Sequence, residues 1–393
     1  MRVGILSGGG DSPGINAVIR AVVRTAANVA GHECVGIRDG FEGLLDPPQV
    51  VPLGLREIGG TLARGGTILG ASNRCNPFDC LPEGGGGGGA PGPRVDRSAE
   101  VARNVRELGL HALVVIGGDG TMAIAQRLAE RHGVRLVGVP KTIDNDLAAT
   151  SVTFGFDTAV ATATDAIDKL RTTAESHHRV MYLELMGRDA GWIALEAGIA
   201  GGAHVVLIPE VPFAVEHVVA KIRDREREGK RYTIVVVSEG AREAGGGAVY
   251  LDAAPRVGAK RLGGVAEQVA RKVAAIDDRE YRVTVLGHVQ RGGVPSARDR
   301  ILASRFGAAA MLAVARGESG KMVALDGDRM ALVPLEAAIG KLKQVDPAGE
   351  LVATARAIVG DAPTLREAAR RLVRWVSSTL QKESPAVADA TAL

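Results

Sequence analysis

The segment Pro140-Lys141-Thr142-Ile143-Asp144-Asn145-Asp146 gathers an ammonium, a hydroxyl and two carboxylates within seven residues. It directly follows the apolar run Leu136–Val139, which reads as a strand. If the extended backbone continues, Thr142, Asp144 and Asp146 face one side and Ile143 the other. One carboxylate then has the position to take a proton from an attacking hydroxyl while the other orients that hydroxyl or serves a metal. The same residue types also compose an Asx-rich turn with no chemistry attached.

Three glycine-rich turns are expected after apolar strands: Gly8-Gly9-Gly10-Asp11, Gly65-Gly66-Thr67 and Gly117-Gly118-Asp119-Gly120-Thr121. Glycine lets backbone N–H groups approach phosphate oxygens, and a helix N-terminus adds a favourable dipole. Each turn alone is equally a tight structural turn. Three of them, one carrying a carboxylate at the carboxyl edge of a strand, point to a phosphate site. Asp119 suits a hard cation such as Mg²⁺ standing between carboxylate and phosphate, or else a helix N-cap. No Walker A lysine motif is present, so the turns are not those of a P-loop. A basic set completes the inventory: Arg179, Arg188, Arg282, His288 and Arg291, all beside strand-like runs. Arginine forks bind phosphate bidentately, whereas any one arginine is ordinarily a solvated surface residue. Glu239, after the run Thr233–Val237, has the same choice between sugar hydroxyls and solvent.

These residues need a frame that brings strand ends together, and the chain alternates short apolar runs with amphipathic stretches. Val3–Leu6, Ala112–Ile116, Leu136–Val139, Val180–Leu185, His204–Ile208, Thr233–Val237 and Arg282–Leu286 read as strands. Asp11-Ser12-Pro13 supplies cap chemistry for a helix carried by Ile15, Val18, Ile19, Val22 and Val23. Strands alternating with helices imply an α/β fold with parallel sheets covered on both faces. At 393 residues the chain suits two domains. Aromatic residues make up 3%, which argues against stacking platforms for nucleic acid, and a net charge of +3 is too small to imply one. Cys34, Cys75 and Cys80 lack metal-ligand spacing, as expected in a reducing compartment. Cys75 and Cys80 form either a redox pair or two ordinary thiols. No stretch is long enough to span a bilayer, so a cytoplasmic protein without membrane partners is expected. The tract at 84–93, GGGGGGAPGP, reads as a flexible surface insertion, Ala244–Gly247 as a smaller loop, and 384–393 as a frayed tail.

The strings GGGDSPGINAVIRA near the start, GGTILG at 65–70, IGGDGT at 116–121, PKTIDND at 140–146, MGRDAGW at 186–192 and LGHVQRGG at 286–293 together resemble the phosphofructokinase family. They occur in the family's order over about three-quarters of the chain. GGDGT alone is shared with lipid and NAD kinases, which give no reason for PKTIDND or the arginines. The resemblance implies Mg²⁺-dependent phosphoryl transfer to the 1-hydroxyl of fructose 6-phosphate. It implies two similar α/β domains with the active site in the cleft between them. The donor-binding domain is expected at 1–150 plus about 290–330, and the sugar-phosphate domain at 151–289 plus about 331–383.

By the same resemblance Asp144 is the general base, with Thr142 and Asp146 beside it and Arg188 contributing to catalysis. Asp119 is the metal ligand. Gly9, Arg74, Cys75, Gly117, Gly118, Asp119, Gly120 and Thr121 serve the donor. Thr142, Ile143, Asp144, Met186, Gly187, Arg188, Glu239, His288 and Arg291 hold the sugar phosphate. Arg179 and Arg282 match arginines that reach across a subunit boundary, which implies a homo-oligomer, dimer or tetramer.

The donor is ATP on one residue and pyrophosphate on another. The resemblance implies that the residue after the aspartate of GGD discriminates: a glycine, as at Gly120, leaves space for the α-phosphate of ATP, which an acidic side chain would fill. Lys141 resembles the pyrophosphate-using branch, where ATP enzymes commonly have glycine. The combination matches a mixed subgroup in which the glycine decides for ATP. Phe41 stands in place of a tyrosine, Ile124 in place of a small residue, and an arginine falls one place late as Arg74 after Asn73. A non-catalytic sugar-phosphate or nucleotide sensor on the same fold would have no need of Asp144 as a base.

Overall fold

The computed structural model describes residues 1–72, 75–80, 94–247, 249–250 and 262–359. Asn73, Arg74, the tract at 84–93 and the tail at 384–393 lie outside the described residues.

The described strands are β1 (Arg2–Ser7), β2 (Glu33–Ile37), β3 (Val50–Leu53), β4 (Ala112–Gly117), β5 (Leu136–Pro140), β6 (Val180–Leu185), β7 (Val205–Leu207), β8 (Thr233–Ser238), β9 (Tyr281–Val285), β10 (Lys321–Asp326) and β11 (Arg329–Pro334). The helices are α1 (Ile15–Ala30), α2 (Ser98–Glu107), α3 (Asp119–His132), α4 (Phe156–His177), α5 (Trp192–Ala200), α6 (Val215–Arg227), α7 (Val265–Ala274), α8 (Ala297–Ala315), α9 (Leu335–Ala338) and α10 (Glu350–Val359). The chain divides into two compact units. One holds Met1–Ala163 with Leu286–Gln344; the other starts at Thr164 and takes in Leu262–Val285 and the stretch from Val345.

The first unit carries a seven-stranded sheet in the order β11-β10-β5-β4-β1-β2-β3. Its five inner strands are parallel, while β3 and β11 add antiparallel edges. Both faces are buried, which is why β1 and β4 read as continuous apolar runs. Val3, Ile5, Val114 and Ile116 pack on one side against α1 and α8, whereas Leu6, Leu113 and Val115 join Val101, Met122 and Leu128 on the other. The second unit has four parallel strands in the order β7-β8-β6-β9, with α6 and α7 packed on β6 and β8 through Val218, Ile222, Val269 and Tyr182. The expected α/β class is observed.

All seven expected strands form, each within one residue of its anticipated bounds. The cap expected from Asp11-Ser12-Pro13 does not. Gly14 precedes α1 with φ of 102°, no side chain caps the helix, and Ser12 Oγ instead donates to the Pro13 carbonyl. That left-handed backbone explains the glycine. Ala244–Gly247 forms a turn in which the Gly246 N–H reaches the Glu243 carbonyl. Among the described residues no helix is long and apolar enough to cross a membrane.

Candidate active site

β1 lies between β2 on one side and β4 on the other, so the chain changes direction across the sheet at β1. In open α/β sheets, ligands bind outside the carboxyl ends of strands at such a switch point. Here the strand ends continue into the glycine turns and the acidic segment. The ladder persists past the strands: Gly8 N–H donates to the Ile116 carbonyl and Lys141 N–H to the Gly117 carbonyl, each at 2.9 Å. The three loops therefore stay side by side around a cavity of about 570 Å³ within the first unit. That size suits a small-molecule ligand.

Thr121 explains two of the glycines. A side chain at Gly117 would begin 2.3 Å from Thr121 Cβ, and one at Gly8 would begin 2.8 Å from Thr121 Cγ2. The threonine thus wedges the two glycine turns together. Gly118 is extended and Asp119 is the first residue of α3, so the N-cap reading of Asp119 gives way to a place in the first turn. The opening N–H groups of α3 face the cavity with its dipole, an arrangement suited to an anion. Asp119 lines the cavity and accepts the Gly340 N–H at 3.4 Å. Gly120 differs from its neighbours: no atom lies within 4 Å of where its Cβ would stand. The fold does not require glycine there.

The acidic segment bends rather than continuing β5. Asn145 takes a left-handed φ of 52°, Asp144 N–H donates to Thr142 Oγ1 at 3.1 Å, and Thr142 Oγ1 donates to Asp146 Oδ1 at 2.9 Å. The alternation expected of an extended run survives in burial alone: Ile143 and Asn145 are buried, while Thr142, Asp144 and Asp146 are half-buried. Thr142 and Asp146 line the cavity.

Lys141 is 4% exposed, with its ammonium on the Gly10 carbonyl and in the cavity wall. Burial, aided by the charge of Arg291, pushes its pKa down to about 8 against the pull of Asp11, Asp144 and Asp146. Arg291, expected with the sugar phosphate, lines this cavity, and its Nη1 donates to the Asp11 carbonyl at 3.2 Å. His288 is exposed on the same short 3₁₀ turn, Gly287–Arg291.

The other unit places the remaining residues at two opposite sheet edges. Met186, Gly187 and Arg188 follow the carboxyl end of β6, and Glu239 follows β8. Gly187 has φ of 133°, and its carbonyl accepts Ser238 Oγ at 2.6 Å and Gly240 N–H at 3.1 Å, which fixes the turn presenting Arg188. Arg179 and Arg282 sit at the amino ends of β6 and β9, both on Glu280. A six-residue strand separates Arg179 from Arg188, roughly 20 Å at about 3.3 Å per residue. The expected arginine set is not one cluster within this chain.

Gly65-Gly66-Thr67 is a further departure. It follows the 3₁₀ turn Thr61–Ala63 rather than a strand, and Asn16 holds it by donating to the Arg64 and Gly65 carbonyls. A Cβ at Gly65 would lie 2.1 Å from the Gly293 carbonyl, so this glycine serves close backbone approach. Cys75 lines the cavity with its sulfur 3.1 Å from that of Cys80, and burial raises both thiol pKa values, which disfavours the reactive thiolates. Phe41 and Ile124 also line the cavity. Sequence reasoning missed Ser72, Asn76, Ala123 and Arg127 in the same wall. For Ala123 and Arg127 the signal was available: with Gly120 and Ile124 they occupy one face of α3 at helical spacing. Arg127 lies 3.9 Å over the Phe78 ring. A second cavity, about 200 Å³ in the other unit, has mainly apolar walls such as Leu195, Val206, Phe213 and Val352, and the turn after β7 that lines it, through Ile208 and Val211, carries no glycine.

Fold and cavity define an α/β protein with a small-molecule-sized, cation-bearing site at a topological switch point. A family model described as Phosphofructokinase matches residues 2–314. The chain belongs to the phosphofructokinase family. It is 49% identical over 364 residues to the ATP-dependent 6-phosphofructokinase of Chloroflexus aurantiacus, covering 91% of this chain and 96% of that one. It is also 50% identical over 349 residues to the pyrophosphate–fructose 6-phosphate 1-phosphotransferase of Streptomyces coelicolor, covering 88% of this chain and 97% of the relative. Among solved structures it resembles the phosphofructokinase of Saccharomyces cerevisiae, with a TM-score of 0.72 and 26% identity over 99% of this chain. It spans about half, 52%, of that longer yeast chain.

Proposed function

We propose that this chain transfers the terminal phosphoryl group of ATP to the 1-hydroxyl of fructose 6-phosphate, as a cytoplasmic enzyme of glycolysis. The observation that carries the reading is the meeting, in one cavity wall, of an anion-binding helix start with the Thr142–Asp146 pair. Asp144 takes the proton from the 1-hydroxyl as that oxygen bonds to the γ-phosphorus and the bond to the β-phosphate oxygen breaks, releasing ADP. Thr142 holds the backbone of Asp144 and the carboxylate of Asp146 in register. Lys141 and the N–H groups opening α3 offset the charge of the donor phosphates.

Among the described residues no three His, Cys, Asp or Glu side chains form a metal cage. Mg²⁺ is ordinarily held by one or two carboxylates together with substrate phosphates and water. Asp119 as ligand, with Asp146 in the same wall, fits that mode. What Mg²⁺ supplies when bound is neutralisation of charge on the donor's phosphate oxygens.

The unit beginning with β1 is the donor-binding domain in this reading and also carries His288 and Arg291, whereas Met186, Gly187, Arg188 and Glu239 belong to the other unit. Met186, Gly187, Arg188, Glu239, His288 and Arg291 are assigned to fructose 6-phosphate. The strand length between Arg179 and Arg188 supports a role for Arg179 and Arg282 in a neighbouring subunit, hence a homo-oligomer.

Gly120 favours ATP, because a Cβ added there would enter open space, so the fold does not itself require the glycine. Pyrophosphate is the second reading, favoured by Lys141 in the cavity wall and by the similarity to the Streptomyces coelicolor enzyme. An aldolase-coupled assay with fructose 6-phosphate and Mg²⁺, offering ATP or pyrophosphate as sole donor, separates the two. Turnover with ATP alone is expected.

A further inference from the structure

The loop that follows the acidic turn is held in an unusual backbone. Asn145 has φ of 52° and Ala149 φ of 62°, two non-glycine residues in the left-handed region within five positions. Such conformations persist only where surrounding structure over-determines them. Here the constraint comes from about 200 residues further along the chain. Lys343 Nζ donates to Asn145 Oδ1 at 2.8 Å, to the Ser151 carbonyl at 2.9 Å and to the Thr150 carbonyl at 3.1 Å. An ammonium has three protons, and the loop offers three acceptors at its two ends. The backbone N–H of Lys343 also donates to the Asp146 carbonyl at 2.8 Å, and Leu342 pairs with Leu147. Asn145 Oδ1 accepts the Thr153 N–H at 3.2 Å as well, so the side chain between the two carboxylates is pinned by two donors.

The same short stretch reaches the other carboxylate of the site. Gly340, with φ of 75°, directs its N–H to Asp119 Oδ1. Residues Gly340–Lys343 thus form a strap tied at one end to the start of α3 and at the other to the Thr142–Asp146 turn. The strap lies past residue 314, where the family match ends.

We propose that Lys343 is a positioning residue for phosphoryl transfer. It touches neither donor nor acceptor and acts by holding Asn145, and through it Asp144 and Asp146, at the spacing the reaction needs. The proposal rests on the functional reading above for the role of those carboxylates, while the holding itself is a property of the loop. A displacement of about 1 Å in reacting groups costs on the order of 10²-fold in rate.

The test compares wild type, Lys343→Met, Lys343→Arg and Gly340→Ala in the full chain by steady-state kinetics and by hydrogen exchange over residues 141–153. Lys343→Met is expected to lower kcat about 10–100-fold. KM for ATP and fructose 6-phosphate should change less than about threefold, as for an interaction felt in the transition state. Exchange of the 141–153 amides should quicken, and Lys343→Arg should recover a large part of kcat. Gly340→Ala has open space for its methyl group, so it folds, strains only the backbone and lowers kcat in the same direction. Unchanged exchange in Lys343→Met overturns the proposal whether or not the wild type uses ATP. Quickened exchange with wild-type kcat makes the lysine merely structural and overturns it too. A wild type that turns over neither donor, with quickened exchange in Lys343→Met, overturns the functional reading but leaves the holding role supported.

Discussion

Thr142 Oγ1 donates to Asp146 Oδ1 at 2.9 Å while the same oxygen accepts the N–H of Asp144 at 3.1 Å. One hydroxyl therefore ties the carboxylate of Asp146 to the backbone of Asp144. Thr142→Val removes both bonds at nearly constant volume and should lower kcat by about 10-fold or more, with the donor KM little changed. Thr142→Ser keeps the hydroxyl and should retain most of the rate. Equal kcat in the valine variant and the wild type would remove the hydroxyl from the mechanism.

Asp144 as base predicts a larger loss. Asp144→Asn should reduce kcat by about 10²–10⁴-fold with little effect on KM for fructose 6-phosphate. Initial rates across a range of both substrates measure this directly, and a near-normal rate would assign the proton to another group.

Gly120→Asp should abolish ATP use without unfolding the protein. Its side chain enters open space, so the fold accommodates it, while its charge opposes the α-phosphate. The check pairs a thermal melt, expected to match the wild type, with turnover on ATP. Retained ATP turnover would show that the open space beside α3 is not where the nucleotide lies.

Lys141 predicts a pH dependence. Its pKa is about 8 in the folded chain against 10.5 ordinarily, because burial disfavours the ammonium and Arg291 adds to the effect. Between those values the unfolded chain holds the proton and the folded chain does not. Stability from this group therefore rises with pH across that window, while the positive charge offered to the donor is lost as pH passes 8. Donor KM should climb from pH 7.5 to pH 9 by roughly the fraction of ammonium lost. Lys141→Met should show a flat profile at a higher KM, and a wild-type profile equally flat would place the donor away from Lys141.

A last prediction concerns stability alone. Asp299 is 1% exposed, and its carboxylate accepts both the Oγ1 and the backbone N–H of Thr158, at 2.5 and 2.8 Å. Thr158→Val takes away the hydroxyl's charge-assisted bond to Asp299 and the acceptor of the Ser296 N–H, and should cost about 1.5–3 kcal/mol, read from urea titration. A shift below about 0.5 kcal/mol would mean that solvent replaces the hydroxyl.

The strands buried on both faces were legible because nothing in them is polar: Val3–Leu6, Ala112–Ile116 and Leu136–Val139 admit no other place than a sheet centre. β3 was not, since Pro52 breaks the ladder signal and only an edge tolerates it. β10 and β11 were missed although Gly327-Asp328 between two apolar runs is a hairpin signal, and Gly327 does take φ of 55° there. The residues of the site were visible as types, but their geometry was not. The bend at Asn145 depends on Lys343, and no local pattern encodes a contact 198 positions away. Arg291 illustrates the same limit: its side chain joins Gly10 and Lys141 because a turn near residue 290 returns to the first unit.

β10 pairs with β5 in the seven-stranded sheet, yet about 180 residues, including every strand of the second sheet, lie between them in the chain. On a ribosome adding 5–20 residues per second, β5 emerges roughly 10–40 s before its partner exists. During that interval a fully apolar strand presents a bare edge, the kind of surface that pairs with other nascent chains. Yield in a heterologous host is therefore expected to depend on chaperone supply and on translation speed through residues 141–320, more than on the stability of the finished protein.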